Sequence, residues 1–381
     1  MKKLLYILFA LLPLLSSCRG DDVVIPSESE AVITPDPNAD PYGFYMLNEG
    51  NMGTNKATID FMDYRTGVYS RNIYPERNPN VVKELGDVGN DIAIYRGKMY
   101  VVVNASHKVE ILDAATCVRI KQLDIPNCRY LAFAGDNAYV SAYVAPIGID
   151  PSAKEGAVYR IDVNTLQITG TVKVGYQPEE MVAKNGFLYV ANSGGYRAPD
   201  YDNTVSIIRL SDFAEIKKTP VAINLFRLRE DKYGKLWVLS RGDYKPGSPS
   251  LLYRLTVDDS GDITAVENTG IQCSGFDISG DNLYLYSAQW ENGVMSNEIC
   301  YKVVDVRTAT VYNNTFITDG TASQIKVPYC IRVNPSTGQV IICDAKNYVS
   351  SGTVNCYNPQ GTRLWRIFAG DIPASIAFIY R

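Results

Sequence analysis

The chain has 381 residues, 46 % of them hydrophobic, and it includes 27 Tyr and 29 Gly. This is enough apolar surface for one large domain, and no amphipathic helical run of useful length follows residue 20, so the sequence predicts an all-β fold. The formal net charge is −4. The basic residues form no stripe along the chain, which argues against a nucleic-acid partner.

The first 18 residues have the pattern of a bacterial lipoprotein leader. Lys2 and Lys3 precede an apolar run, residues 4–15, that is too short to span a membrane and is typical of a secretory signal. The sequence Leu-Ser-Ser-Cys that ends at Cys18 resembles a lipobox, in which the cysteine thiol is acylated. We therefore predict a signal peptide over residues 1–18 and a lipid anchor on Cys18 in the outer membrane. An ordinary signal peptide that contains a cysteine is the alternative.

The segment after Cys18 predicts exposure on the cell surface. Residues 19–22, Arg-Gly-Asp-Asp, resemble the acidic export tag that sends some lipoproteins to the outside of the cell. Residues 19–41 are rich in Pro, Ser, Glu and Asp, and such a composition buries too little apolar surface to fold. We predict a disordered tether over residues 19–41 and one folded domain over residues 42–381.

Two short motifs recur along the predicted domain. An apolar strand followed by Asp-x-x-Thr occurs at residues 63–66, 113–116, 162–165 and 305–308, with a weaker copy at 358–361. An Asp or Asn side chain there accepts a hydrogen bond from the backbone two residues on, which closes a hairpin turn. The second motif is a Gly or Asn turn before a β-rich run, repeated at intervals of about 40 to 57 residues, which is the length of a four-stranded propeller blade.

The repeats predict a seven-bladed β-propeller with units that begin near residues 42, 90, 129, 178, 224, 274 and 329. The final segment, residues 373–380, reads as a strand with no partner in its own unit. We predict that it pairs with residues 43–47 in the first blade, because this pairing closes the ring and removes the open sheet edges. An array of β-sandwiches is the alternative, but it leaves the C-terminal strand unexplained.

Few residues suit catalysis or metal binding. The single histidine, His107, lies in a predicted loop, and we interpret it as solvated, with a ligand contact as the alternative. Residues 258–262 resemble a calcium loop, but Asp and Gly are expected at such a hairpin tip for turn reasons alone. Seven cysteines follow Cys18 without a Cys-x-x-Cys pair, and Cys330 and Cys343 are the best disulfide candidates. We predict no catalytic residue, no metal site and no enzymatic activity.

Long loops of unequal length are predicted on one face, between the second and third strands of the blades, and they include residues 287–300. Variable loops on a rigid scaffold are where binding sites usually lie. Tyr, Trp and Arg supply large contact areas and hydrogen-bonding groups, although packing of the loops onto the blades is the alternative role for each residue. The predicted ligand-binding residues on these loops and on the links between blades are Asn48, Asn51, Asn90, Arg129, Tyr130, Tyr143, Tyr176, Gln177, Tyr196, Arg197, Phe226, Arg241, Tyr244, Trp290, Tyr329 and Tyr348.

The start of the predicted domain, residues 42–51 with the core sequence LNEGN, resembles surface-lipoprotein propellers of the YncE-like class. Within that class the chain is similar to the BtuG cobalamin-capture family, over roughly residues 42–381. The resemblance implies a propeller that binds cobalamin (vitamin B12) outside the cell and passes it to a BtuB-like TonB-dependent transporter. Cobalamin is then the transported ligand, and no catalytic cofactor is expected. The family offers no short motif for the cobalamin site, so the predicted site rests on loop position.

Three other functions stay open at this point. The first is capture of a glycan or another nutrient by the same face. The second is a scaffold for protein interactions. The third is a propeller hydrolase such as a lactonase, which would require a cluster of carboxylate and Asn side chains around a calcium ion in the central channel, and the sequence shows no such set.

Overall fold

The computed structural model of the protein describes residues 26–81, 84–291 and 294–381, so the predicted leader and Cys18 lie outside the described residues. The described chain forms seven antiparallel sheets arranged as the blades of a β-propeller. The first blade contains β1 (Glu28–Ala31), β2 (Gly43–Asn48), β3 (Thr58–Asp63) and β4 (Val68–Arg71). The next three blades contain β5 (Gly89–Tyr95), β6 (Lys98–Val103), β7 (Lys108–Asp113), β8 (Arg119–Asp124), β9 (Cys128–Ala134), β10 (Asn137–Ala142), β11 (Ala157–Asp162), β12 (Gln167–Lys173), β13 (Pro178–Lys184), β14 (Phe187–Asn192), β15 (Thr204–Arg209) and β16 (Ala214–Pro220).

The last three blades and the closing strand complete the ring. They contain β17 (Leu225–Glu230), β18 (Leu236–Ser240), β19 (Leu251–Val257), β20 (Ile263–Gln272), β21 (Gly275–Ser279), β22 (Asn282–Glu291), β23 (Val294–Asp305), β24 (Thr310–Asn313), β25 (Pro328–Val333), β26 (Val340–Asp344), β27 (Ser351–Tyr357), β28 (Arg363–Asp371) and β29 (Pro373–Ile379). Helical structure in the described chain is limited to α1 (Ile73–Arg77) and two 3-10 turns, Gly195–Arg197 and Thr321–Gln324. The predicted all-β fold with seven blades is confirmed.

The C-terminal strand closes the ring as predicted. Strand β29 pairs antiparallel with β2, with Phe44 opposite Phe378 and Gly43 opposite Ile379. The first and last segments of the domain therefore share one sheet, and β29 serves as the innermost strand of the first blade.

Burial explains why these segments are strands. The middle strands are packed between neighbouring blades on both faces, so β6 is buried continuously from Met99 to Val103. The outermost strand β12 alternates only between exposed and half-buried residues. The repeated Asp residues close hairpins as predicted, and Asp113 Oδ1 accepts hydrogen bonds from the backbone N–H groups of Ala115 and Thr116 at 3.1 and 2.9 Å.

Two segments differ from the sequence prediction. Part of the predicted tether is ordered, because β1 pairs with β4 along the outer edge of the first blade. Its polar side chains find partners there: Arg71 Nη2 donates to Glu28 Oε2 at 2.6 Å, and the hydroxyls of Ser29 and Ser70 are 2.7 Å apart. The segment predicted as a loop over residues 287–300 is instead a continuation of β22 and β23, which stay paired as far as Glu291 and Val294.

Two cysteines that were expected to be close do face each other. Cys330 on β25 lies directly opposite Cys343 on β26, and both are buried in the last blade. Both carry free thiols in this structure, and burial raises the pKa of the Cys343 thiol well above its ordinary value.

Candidate functional site: an arginine-rich cavity on the long-loop face

A cavity of about 360 Å³ lies at the end of the central channel where the long loops meet the links between blades. It is lined by Glu49, Asn90, Arg129, Tyr130, Phe226, Arg227, Arg241, Tyr244, Ser250, Ser274, Tyr286, Ala288, Val327, Pro328, Tyr329, Tyr348 and Ala374. Eight of the sixteen predicted residues are in this wall, namely Asn90, Arg129, Tyr130, Phe226, Arg241, Tyr244, Tyr329 and Tyr348. The volume is within the range of about 300 to 1,000 Å³ that is usual for small-molecule sites.

The topology brings these residues together. The innermost strand of each blade runs along the central channel, so residues at the beginnings of several such strands meet at one end of it. Arg129 and Tyr130 lie at the start of β9, Phe226 and Arg227 at the start of β17, and Tyr329 at the start of β25. The loops after the second strands of the blades add further residues to the wall.

Three guanidinium groups share two aromatic rings in the wall. The guanidinium carbons of Arg227 and Arg241 lie 4.7 and 4.4 Å from the centroid of the Phe226 ring. Those of Arg129 and Arg227 lie 5.6 and 5.7 Å from the centroid of Tyr130, and the two rings meet edge to face at 6.0 Å. Contact of this kind stabilises a cation over the ring and restricts its orientation.

Buried carboxylates behind the wall hold the arginines. Glu179 is fully buried, and it accepts hydrogen bonds from Arg129 Nη2 at 3.1 Å and Arg241 Nη2 at 2.8 Å. Burial alone would raise the pKa of Glu179, but the two guanidinium groups outweigh it and lower the pKa. Glu180 pairs in the same way with Arg227 and, at 3.5 Å, with Arg229. The arginines of the wall are therefore held from behind by carboxylates whose ionised form they favour.

One acidic side chain faces the cavity directly. Glu49 Oε2 accepts a hydrogen bond of 2.6 Å from the hydroxyl of Tyr329, which itself meets Tyr348 edge to face at 5.9 Å. The recessed position of the Glu49 carboxyl raises its pKa, and this outweighs the hydrogen bond from Tyr329 and the nearby Arg129 and Arg227, which lower it. The neutral form of Glu49 is therefore favoured more than in an exposed glutamate.

Several predicted residues lie behind the cavity wall instead of in it. Tyr143 is buried, and its hydroxyl donates to Glu179 Oε1 at 2.5 Å. Tyr196 packs edge to face against Tyr143, with ring centroids 5.3 Å apart. The guanidinium of Arg197 lies 4.0 Å from the centroid of the Tyr176 ring. These four residues support loops around the site, which is the packing role that the sequence left open.

Three other predicted residues, Asn48, Asn51 and Gln177, are also absent from the cavity wall. Asn48 Nδ2 donates to Thr58 Oγ1 at 3.0 Å between β2 and β3. The carbonyl oxygen of Asn51 accepts from the backbone of Thr54, and Gln177 is fully buried. Trp290 lies in β22, and its side chain is outside the described part of the chain.

The sequence missed several lining residues. Glu49 is the acid of the LNEGN segment, and Arg227 directly follows the predicted Phe226. Either could have been found from its neighbours, since both lie in segments that the sequence assigns to this face. Tyr286 and Ser274 gave no such signal, because β22 reads as a core strand and a lone serine before a strand is common.

The described residues contain no group of three or more His, Cys, Asp or Glu side chains that could hold a metal ion. Asp258 Oδ1 is occupied by its own turn, where it accepts from the backbone of Ser260 at 3.0 Å and of Asp262 at 2.9 Å. His107 is exposed, and its Nδ1 accepts from the backbone N–H of Asn127 at 2.9 Å.

In the part of the chain that is described, no helix is long and apolar enough to cross a membrane.

A second cavity of about 560 Å³ lies towards the opposite end of the channel. Arg227 borders both cavities, whereas Arg229 and Arg332 line only the second of the two. Asp277 accepts from Arg229 Nη1 at 2.7 Å and lies 3.4 Å from Arg332 Nη1. In this cavity the charges of both signs are mostly paired with each other.

Residues 42–367 match the model of the family described as "Domain of unknown function (DUF5074)". The chain belongs to the DUF5074 family. The match spans all seven blades, and in this member the wall of the arginine-rich cavity is drawn from most of them. No curated protein shows significant sequence similarity to this DUF5074 chain.

Solved structures with little sequence identity share the fold. A quinonprotein alcohol dehydrogenase-like protein from Bacteroides thetaiotaomicron is 15 % identical with a TM-score of 0.61, over 90 % of this chain and 79 % of that one. A hypothetical selenium-binding protein from Sulfolobus tokodaii is 13 % identical with a TM-score of 0.64, over 90 % and 95 % of the two chains. Hydrazine synthase from Kuenenia stuttgartiensis is 14 % identical with a TM-score of 0.52, over 71 % and 76 %. At such identities the likeness concerns the fold alone.

Proposed function

We propose that this DUF5074 propeller is an outer-surface lipoprotein that captures cobalamin at its long-loop face and hands it to a TonB-dependent transporter. The observation that carries a capture function is the cavity of about 360 Å³, in which three arginines and several tyrosines converge at one end of the channel. The sequence resemblance to BtuG-type propellers supplies the ligand, and the lipobox at Cys18 supplies the location.

The chemistry of the wall suits a large corrinoid edge. Cobalamin is a flat macrocycle with amide groups around its rim, and Tyr, Asn and Ser side chains can hydrogen-bond to amides while aromatic faces cover apolar surface. The cavity is too small to enclose the whole macrocycle, so only one edge or side chain of the ligand would enter it. The rest would lie against the surrounding loops.

Retention of cobalamin tests the proposal directly. The full chain, purified in detergent, is mixed with cyanocobalamin at micromolar concentration, and the visible absorbance of the protein peak is measured after gel filtration. We expect the corrinoid to elute with the protein. If no corrinoid elutes with it, the cobalamin assignment is wrong, and calorimetry with a panel of other nutrients and glycans then tests the remaining capture functions.

A matched pair of variants tests the position of the site. Tyr244 lines the cavity and is 37 % exposed, so Tyr244→Ala should weaken binding about 30-fold without a large change in Tm. Tyr312 is 60 % exposed on β24, the outermost strand of its blade, so Tyr312→Ala should leave binding unchanged. Equal binding by the two variants would show that the cavity is not the capture site.

A further inference from the structure

We propose that the cavity on the long-loop face binds an oxyanion, a carboxylate or phosphate group of its ligand, through Arg129, Arg227 and Arg241. The inference rests on the proposed function in that it concerns the same cavity, and it adds the chemical group that the cavity recognises.

The first support is that each of these arginines keeps a hydrogen-bond donor free. Arg129 uses Nε and Nη2 to hold Glu179, and Arg241 uses Nε for Asn224 and Nη2 for Glu179. Within the described chain, Nη1 of both arginines has no partner. Arg227 uses only Nη1, for Glu180, and its Nε and Nη2 have no partner among the described residues. These nitrogens are not buried, so each keeps some exposure: Arg129 and Arg241 line this cavity, and Arg227 borders both cavities.

The second support is the balance of charge. Arg129 and Arg241 share the single carboxylate of Glu179, and Arg227 shares Glu180 with Arg229. Glu179 and Glu180 thus hold the three arginines of the wall, while Arg229 has Asp277 as a second carboxylate partner. The wall also contains Glu49, which is hydrogen-bonded to the Tyr329 hydroxyl. An oxyanion of a ligand would accept hydrogen bonds from the free N–H donors of the three wall arginines, because guanidinium groups match the geometry of carboxylate and phosphate oxygens.

The third support is that the free donors are held in place before any ligand arrives. The Phe226 and Tyr130 rings lie against the guanidinium groups, and buried carboxylates fix their other nitrogens. Little side-chain entropy would therefore be lost when an anion binds. Phe226 is only partly buried and offers apolar surface beside the donors, so the preferred ligand carries the oxyanion on a flat apolar body.

A set of simple probes tests the recognition of charge. Benzoate, phenyl phosphate and neutral benzamide have a similar ring, and calorimetry compares their binding to the full chain in chloride buffer of constant ionic strength. Hydrogen bonds to charged groups predict that at least one anion binds about tenfold or more tightly than benzamide. The stronger of the two anions tells whether carboxylate or phosphate is preferred. Binding of benzamide that equals that of both anions would overturn the proposal.

Two arginine variants of the same ion-pair network provide a matched comparison. In Arg227→Gln, Glu180 keeps its contact with Arg229 at 3.5 Å and the backbone N–H of Leu228 at 3.0 Å, so the fold should persist. This variant should lose most of the preference for the anion. In Arg229→Gln, Glu180 keeps Arg227, and anion binding should be unchanged because Arg229 does not line this cavity. Equal anion binding by the two folded variants would contradict the assignment.

Arg241→Gln provides a second variant if Arg227→Gln fails to fold. Glu179 would keep Arg129 and Tyr143 as partners, and the loss of anion preference should be the same. Circular dichroism and the Tm of each variant establish that it is folded before its binding is interpreted. A folded Arg241→Gln protein that keeps the full preference for the anion would overturn the proposal.

Corrinoids separate this inference from the proposed function. Cobalamin carries one phosphodiester, and cobinamide lacks it. If both proposals hold, cobinamide should bind about tenfold or more weakly, and Arg227→Gln should weaken binding of cobalamin only. If cobalamin and cobinamide bind equally well, and Arg227→Gln binds cobalamin as tightly as the wild type does, the capture function stands and the oxyanion site is wrong. If the simple anions bind but no cobalamin is retained, the oxyanion site stands and the cobalamin-capture function is wrong.

Discussion

Glu179 and Arg241 are joined by a hydrogen bond of 2.8 Å between Oε1 and Nη2, although they belong to different blades. Glu179 lies near the start of β13, and Arg241 lies in the loop that follows β18. A fully buried carboxylate on one blade therefore fixes a loop of the next blade over the cavity. Removal of this carboxylate should affect both stability and the shape of the site.

Glu179→Gln should destabilise the protein by about 3 to 5 kcal/mol, because it leaves two largely buried arginines without their carboxylate. Denaturant unfolding followed by fluorescence measures this loss. Glu267→Gln is the control, since Glu267 pairs with Arg254 but is 46 % exposed, and such surface pairs contribute at most about 1 kcal/mol. A Glu179→Gln protein as stable as the control would contradict the structural role of Glu179.

Acid should weaken the fold through Glu179 and Glu180. Both have pKa values below that of an ordinary glutamate, which is about 4.3, because the neighbouring arginines outweigh the effect of burial. Their contribution to stability is complete above the unfolded-state pKa and is lost as the pH falls through the lower folded-state pKa. The Tm measured between pH 6 and pH 2.5 should fall less steeply in Glu179→Gln than in the wild type, and a parallel fall would refute this assignment.

Glu49 should make anion binding stronger as the pH falls, whereas the stability of the fold should decrease. Its pKa is raised by its recessed position, and Tyr329, Arg129 and Arg227 face the carboxyl. As the pH falls through that raised pKa, the carboxyl becomes neutral and its repulsion of a bound anion disappears. Affinity for benzenesulfonate, which stays ionised, should therefore rise on acidification. Glu49→Gln should bind it more tightly at neutral pH and lose this dependence, and an unchanged pH profile would contradict the prediction.

Deletion of residues 373–381 should destabilise the protein by several kcal/mol, comparable with the whole stability of a typical domain. The deletion removes β29 with the buried Ile376 and Ile379, and it exposes the edge of β2. Differential scanning calorimetry measures the loss. Deletion of residues 380–381 alone is the control, because both lie beyond β29. Equal Tm values for the two deletions would refute closure by β29.

Cys18→Ala should release the protein from the membrane fraction into the soluble fraction, since acyl chains on Cys18 are the proposed anchor. Immunoblots of fractionated cells test this, and protease treatment of whole cells tests exposure on the surface. Retention of the variant in membranes would exclude Cys18 as the only anchor. Survival of the wild-type protein under protease would place it inside the outer membrane.

Most of the fold could be predicted because its signals are local. Each Asp-x-x-Thr turn is closed by its own side chain, as at Asp113, so the repeats could be counted without knowledge of distant contacts. The strand β1 could not be predicted, because its exposed residues pair with β4 and gain partners only in the assembled blade. The extension of β22 and β23 was missed for a similar reason, since polar residues in a hairpin read as a loop.

Half of the candidate site could be predicted from loop position, and half could not. Residues at the start of innermost strands, such as Arg129 and Phe226, meet by topology and were found. Tyr143 has the same residue type and loop position as Tyr244, but only Tyr244 lines the cavity, whereas Tyr143 is turned inward towards Glu179. That difference depends on the partner blade, which sequence position does not reveal.

Because β1 is part of the first blade, it shortens the segment that can extend between the propeller and the proposed lipid anchor on Cys18. A free tether from Cys18 to Gly43 could extend about 85 Å, but the chain from Cys18 to the first strand residue, Glu28, can extend only about 35 Å. With Cys18 acylated, the rim of the first blade would stay within that height of the lipid. On the proposed outer-membrane location, a ligand that the propeller releases would then start its path close to the membrane surface.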